Sequence, residues 1–440
     1  MTDLPAAAAR SADAAGRWIC PFCPLLCEQL AVAADPVRLA GGDCPRAAAR
    51  LARQFDGVAG PMVDGRPASP AEAVTAAAAI LRRSRQPLFG GLGTDVSGAR
   101  ALFRLASATG AIADSAQGPA LIEGLRALQD RGGFTTTLAE LRTRADLVLC
   151  LGGVFADAAP LFLDRCLLPP RSAGLAGDPP PRQVVVLGAS PADAAALARL
   201  ASAPGIALQQ VSLQGDLHDT VALLAALVAG RAVPAAPPAL RALAQALRAA
   251  RYGVIVGAPG GLPAQGALLI EAVHRLVDTI NDDTRAAALW LGGGEGAATT
   301  NQVFTWLSGL PLRSRNGPAG LEHQPVAFDA RRMLDDGAVD SLLWVSSFDA
   351  SLLPPATALP CVVLGPPALG AAWPAASAGG PTVFIPVATP GIDIAGDLFR
   401  TDGTVLLPLL PLPPGTARGL PALAAVLAEI EAALATEATA

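Results

Sequence analysis

The sequence predicts an α/β fold, doubly wound on parallel sheets, with a small cysteine-loop domain in front of it. Three observations lead there. Short apolar runs are followed, again and again, by a glycine-rich turn and an amphipathic helix, the order of strand, loop and crossover helix in a parallel sheet. The recurrence lies at the level of this βα unit and shows no short period, which argues against a solenoid. Four of the seven cysteines, Cys20, Cys23, Cys27 and Cys44, fall in one stretch near the N-terminus.

Taken in order, residues 1–17 carry Asp3 and Asp13 and no bulky apolar run, so they read as a disordered leader rather than a signal peptide, and predict a cytoplasmic location. After Cys27, Leu30-Ala31-Val32 alternates like a strand, Asp35-Pro36 turns and Val37-Arg38-Leu39 runs back, a hairpin that returns the chain to Cys44. Pro45 to Gln54 is helical, Asp56 to Pro67 breaks the pattern with glycine and proline, and Ser69-Pro70 opens a helix to Arg83. Strands are then expected at Pro87–Leu92, Leu147–Leu151, Val184–Gly188, Ile206–Val211, Gly253–Gly257, Ala286–Leu291, Leu342–Ser346, Val362–Gly365 and Thr382–Val387. Helices fall between them, at Gly98–Thr109, Gly118–Arg131, Pro191–Leu200 and Gln265–Ile280, with two more over 215–250. Asn301, Gln302 and Trp306 sit on a helix after a glycine-rich loop, and a last helix covers Leu420–Thr436.

Composition narrows the function. The 52% hydrophobic content and mean hydropathy of +0.43 come mostly from alanine, and no uninterrupted apolar run reaches the roughly 18 residues of a membrane span. A net charge of −5 with scattered arginines leaves no footprint for nucleic acid. There is no lysine, which excludes Schiff-base and Walker-type chemistry.

The cysteine stretch is the most specific motif. Thiolates two and three residues apart on a loop bearing Pro21 and Pro24, with a fourth brought back by a hairpin, suit the corners of a 4Fe-4S cluster. Structural zinc usually takes two CxxC pairs and fits less well. A chance group of reduced core cysteines, and a motif inherited without its metal, are the other readings. Cys150, Cys166 and Cys361 sit in apolar runs and read as buried small hydrophobes. Glycine-rich strand ends at Gly90–Ser97, Gly152-Gly153, Gly188–Ser190, Gly257–Gly261 and Gly292–Gly296 are candidate cradles for a phosphorylated cofactor, although none completes a GxGxxG or Walker pattern. The three histidines are far apart: His274 reads as a helix residue, and His323, beside Glu322, as a loop residue that could contact a ligand.

The runs CPFCPLLCEQLAV and GGDCPRA resemble the N-terminus of the molybdopterin-dependent oxidoreductases, and specifically the B subunits of formylmethanofuran dehydrogenases. PLFGGLGTDVSGAR, TTTLAELRTRADLVLCLGG, TNQVFTWLSGLPL, ARRMLDDGAVDSLLWVSSFDA and ATPGIDIAGDLFRTDG carry the likeness on to about residue 405. The resemblance implies a cysteine-loop domain at 18–60, a discontinuous Rossmann-like domain at 61–150 and 340–405, a second α/β domain at 151–339, and a C-terminal segment at 406–440. It further implies a tungstopterin or molybdopterin between the α/β domains, bordered by Gly118, Asn301 and Arg400, with Arg46 lying between cluster and pterin. In that family a cysteine or selenocysteine in a VCHGP-like segment ligates the metal. Here the matching segment, Ala113 to Pro119, has neither, and Ala116-Gln117 stands where the soft ligand belongs. The departure turns the expectation from dehydrogenase to the methylotroph formyltransferase/hydrolase complex. Its B-like subunit would be structural, the pterin lost, a 4Fe-4S cluster kept only if the four cysteines still bind iron, and the partners the A, C and D subunits and a methanofuran-like carrier.

Overall fold

The computed structural model describes residues 18–436 apart from 58–59, 154, 156–157, 173–179, 374–379, 414 and 417; the expected leader, 1–17, lies outside the described residues. The chain begins with a hairpin, β1 (Ala31–Ala34) and β2 (Val37–Gly41), and the helix α1 (Pro45–Gln54). Next come β3 (Met62–Val63), β4 (Arg66–Pro67), α2 (Pro70–Arg83), β5 (Pro87–Gly93), α3 (Val96–Thr109), β6 (Ile112–Ala113), α4 (Gly118–Arg131) and α5 (Leu138–Arg144). A run of β7 (Leu147–Leu151), β8 (Arg182–Leu187), α6 (Ala194–Ser202), β9 (Ile206–Val211), α7 (Leu217–Val228) and α8 (Pro238–Ala249) follows. It continues through β10 (Gly253–Gly257), α9 (Gly266–Asn281), β11 (Ala286–Trp290) and α10 (Ala297–Ser308). The chain ends with β12 (Ser314–Gly317), β13 (Gly320–His323), α11 (Ala330–Asp335), β14 (Ser341–Ser346), β15 (Cys361–Gly365), α12 (Pro367–Ala372), β16 (Thr382–Pro386), the hairpin β17 (Gly396–Phe399) and β18 (Leu406–Leu409), and α13 (Leu423–Thr436).

These elements make a mixed α/β molecule on two large sheets. One has five strands, all parallel, in the order β11-β10-β7-β8-β9. The other has nine, in the order β13-β12-β6-β5-β14-β15-β16-β3-β4, parallel from β6 to β16 and finished at each edge by an antiparallel hairpin. Strands β5, β7, β10, β14, β15 and β16 are buried at every residue, because helices cover both faces of a parallel sheet, and their sequences read as continuous apolar runs for that reason.

Local chemistry sets the helix ends. Ser69 and Glu72 form a capping box with Pro70 at the first position of α2. Asp95 caps α3 by accepting from Gly98 N–H at 2.9 Å, and Gly110, at φ +66°, ends it. α13 lies across α2 and α3, burying Leu423, Val426, Leu427 and Ile430. Two expectations are corrected. The segment Asp56 to Pro67, read as a break, holds the hairpin β3-β4, which extends the sheet beside β16; two-residue strands are too short to show alternation. His323, read as a loop residue, lies in β13. Among the described residues no helix is long and apolar enough to cross a membrane.

Candidate functional site

Cys20, Cys23, Cys27 and Cys44 are brought together and sealed in a core with Phe22, Leu25, Leu30, Leu51 and Phe162. Cys20 N–H donates to Cys27 O at 2.9 Å and Leu26 N–H to Cys23 O at 3.2 Å, so the loop closes on itself. Leu26 takes the left-handed conformation, φ +45°, to make that turn. Cys44 stands at the N-cap of α1. All four are free thiols. Burial pushes the Cys20 and Cys44 thiols up. Cys23 and Cys27 hydrogen-bond to one another, which raises Cys23; the same bond, helped by Arg165, lowers Cys27 to about 7. Arg165 is held there by donating to Leu25 O at 2.7 Å. Among the described residues no three His, Cys, Asp or Glu are grouped to share a single metal ion; a 4Fe-4S cluster makes a different demand, one thiolate on each iron.

The segment from Ala113 to Pro119, where the resemblance places a metal ligand, is tied to its own neighbours. Asp114, almost wholly buried, accepts from Arg313 Nε at 3.2 Å, Ala330 N–H at 2.9 Å and Ser115 N–H at 2.9 Å. Burial outweighs the guanidinium and raises its carboxyl to about 6. Arg313 also binds the partly exposed Asp329, which completes an ion-pair chain. Ala116 N–H donates to Gly91 O at 3.1 Å, and its methyl packs on the cluster around Phe328, Leu342 and Trp344. Gln117 Nε2 reaches Gly294 O at 3.4 Å. Gly118 is glycine because a Cβ would lie 2.4 Å from Asp114 Oδ1.

Two of the glycine-rich strand ends, Gly90–Ser97 and Gly292–Gly296, meet each other. A Cβ on Gly93, at the end of β5, would lie 2.9 Å from Glu295 O; one on Gly296 would lie 2.3 Å from Thr94 O; one on Gly294 would lie 2.9 Å from Pro24 Cδ. Glycine here lets one backbone approach another. Between these loops stands Arg50, delivered by α1: Nη2 binds Glu295 Oε1 at 2.8 Å, and Nη1 pairs with Asp349 and donates to Ser351 Oγ at 3.2 Å. Burial lowers the Arg50 pKa. A pterin dinucleotide lying between the sheets needs these ends apart, and as packed they do not fit it. Sequence reasoning missed Arg50, Glu295 and Asp349; the available signal was a single acid inside a glycine run, a second acid at a strand end, and an arginine on the first helix.

The remaining candidates serve local structure. Asn301 Oδ1 accepts from Leu312 N–H at 3.0 Å, and Arg400 forms a forked pair with buried Asp402, whose Oδ2 also accepts from Leu138 N–H at 3.1 Å. His323 Nδ1 lies 3.0 Å from Arg313 O and its Nε2 is buried without a partner; His274 accepts from Trp290 Nε1 at 3.4 Å. The histidines are not brought together.

No family model matches the chain. Over 279 residues, 63% of its length and 72% of the relative's, it is 32% identical to the B subunit of the formyltransferase/hydrolase complex Fhc of Methylorubrum extorquens. The chain belongs to the family of Fhc B subunits. It is also 25% identical over 425 residues to the B subunit of the tungsten-containing formylmethanofuran dehydrogenase 2 of Methanocaldococcus jannaschii, with 88% of the chain and 91% of that relative covered. Its fold matches a chain in the crystal structure of the FhcABCD complex of Methylorubrum extorquens with methylofuran: TM-score 0.73, 28% identity, 86% of this chain and all of that one.

Proposed function

We propose that this chain is the non-redox, structural B subunit of a formyltransferase/hydrolase complex. The complex converts formyl-tetrahydromethanopterin, through a formyl-methanofuran-like carrier, to formate. Transfer and hydrolysis take place on partner subunits, and this chain holds the A, C and D subunits in place, in the cytoplasm. The observation that carries the reading is the segment Ala113 to Pro119: Ala116-Gln117 offers no sulfur, and Asp114, Ser115 and Gly118 are committed to one another and to Arg313. Without a soft ligand, a tungsten or molybdenum centre has neither anchor nor tuning group. Membership of the family of Fhc B subunits supports the same reading.

In architecture the chain is read as a molybdopterin-oxidoreductase scaffold: a cysteine-loop unit over 18–60, a Rossmann-like unit on the nine-stranded sheet (61–150 and 340–405), a second unit on the five-stranded sheet (151–339), and a C-terminal segment (406–440). The strand β7 goes with the second unit and the β12-β13 hairpin with the first. Gly118, Asn301 and Arg400 are relics of the pterin border.

The second reading is an active formylmethanofuran dehydrogenase subunit, and what favours it is the retention of Cys20, Cys23, Cys27 and Cys44, the ligand set for a 4Fe-4S cluster. Assay of the purified complex separates the two. The first reading expects formate from formyl-tetrahydromethanopterin with no viologen-linked oxidation of formyl-methanofuran; viologen reduction at a comparable rate contradicts it.

A further inference from the structure

We infer that the crevice between the carboxyl ends of the two sheets is held shut by the chain itself, with Arg50 as a clasp between Glu295, just beyond β11, and Asp349, just beyond β14. The inference deepens the non-redox reading and rests on it. Each partner of the clasp comes from a different part of the fold: Arg50 from the helix that follows Cys44, Glu295 from the five-stranded sheet, Asp349 from the nine-stranded one.

The geometry is that of a fixed contact. The side chains of Arg50, Glu295 and Asp349 are 17%, 12% and 6% exposed, so the charges are withdrawn from water and must be answered within the protein. Asp349 is itself held by Ser351, which donates its N–H at 2.8 Å and its hydroxyl at 2.6 Å. Glu295 adopts a left-handed backbone, φ +57°, beside Gly296 at φ +84°. A non-glycine residue keeps that conformation only where its surroundings impose it, and here it turns the carboxylate to Arg50. Backbone contacts run beside the clasp: Ser347 N–H donates to Gly93 O at 2.8 Å, and Gly296 lies against Thr94. The guanidinium charge is thus matched by two carboxylates rather than offered to phosphate, and the helix α1 is anchored to both sheets at once.

The test uses the purified complex carrying Arg50→Met, the pair Glu295→Gln with Asp349→Asn, or all three substitutions. Thermal unfolding and hydrogen exchange over 293–300 and 346–351 are the readouts. Arg50→Met leaves two buried carboxylates unpaired, so its midpoint falls and both segments exchange faster; the triple variant, with no charge left to answer, recovers most of the loss. Recovery of intact complex by the triple variant where Arg50→Met yields none supports the clasp equally. Strict additivity of the losses, an unchanged midpoint and exchange in Arg50→Met, or failure of both Arg50→Met and the triple variant overturns it. Pterin with tungsten or molybdenum in the unaltered complex would overturn the non-redox reading as well, whereas additivity in a pterin-free complex would overturn the clasp alone.

Discussion

Two adjacent strands of the five-stranded sheet, β10 and β11, end in glycine-rich loops of the same appearance, Gly257 to Gly261 and Gly292 to Gly296, yet the structure uses them differently. Past Gly257, where a Cβ would lie 2.4 Å from the Trp290 ring, the backbone beyond β10 is open: nothing lies within 4 Å of a Cβ placed on Gly261, and at Gly260 such a Cβ makes only an ordinary contact with Ala120 at 3.8 Å. Beyond β11, Gly293, Gly294 and Gly296 are pressed against Ala298, Pro24 and Thr94 at distances no Cβ tolerates, while Gly292 makes only an ordinary contact. Identical residue types serve as a surface turn in one place and as a seam between sheets in the other. A glycine after a strand is therefore a statement about backbone freedom, and only the packing says whether ligand, solvent or protein takes the space.

Substitutions probe this contrast in graded steps. The largest effect belongs to Gly296→Ala, which adds left-handed strain to a clash with the Thr94 backbone and should cost about 3 kcal/mol, measured by urea unfolding. A loss below about 1 kcal/mol would mean that the seam is loose. The next effect concerns the other flank of β11, where His274 packs against Trp290 and under Gly133. Burial holds the folded imidazole below its ordinary 6.5. As pH falls through 6.5 the unfolded chain takes up the proton first, so stability present at pH 7.5 is lost progressively below that point. His323 is shifted in the same sense and Asp114, raised to about 6, works against both in this window, so His274→Asn should lessen the rise of stability with pH between about pH 5.5 and 7.5. An unchanged slope would place the titration elsewhere. The smallest effect is Gly261→Ala, which should change stability by no more than about 0.5 kcal/mol; a large loss there would erase the contrast between the two loops.

Much of the fold was legible because its strands are continuous apolar runs. Leu147–Leu151 and Gly253–Gly257 lie where their sequences put them, and so do the half-exposed edge strand Ile206–Val211, the capped helix from Pro70 and the helix from Gly118. What escaped were elements held by partners remote in sequence. The pairs β3-β4 and β12-β13 are too short to carry a pattern, and each exists because it adds to the edge of an existing sheet. The gathering of Cys20, Cys23, Cys27 and Cys44 was legible from spacing, whereas the hydrogen bond between Cys23 and Cys27 was not. The absence of sulfur from the Ala113 to Pro119 segment could be read directly; the commitment of Asp114 to Arg313, 199 residues away, could not. Arg50 and Glu295 are separated by 245 positions, Asp349 lies farther along still, and no local rule links the three.

On the proposed non-redox reading, the chain should hold neither tungsten nor molybdenum and no pterin. Metal analysis of the anaerobically purified complex, together with fluorescence of extracted and oxidised pterin, tests this most directly. The expected result is neither tungsten nor molybdenum above background and no pterin. Stoichiometric tungsten or molybdenum with pterin would contradict it and return the chain to redox catalysis.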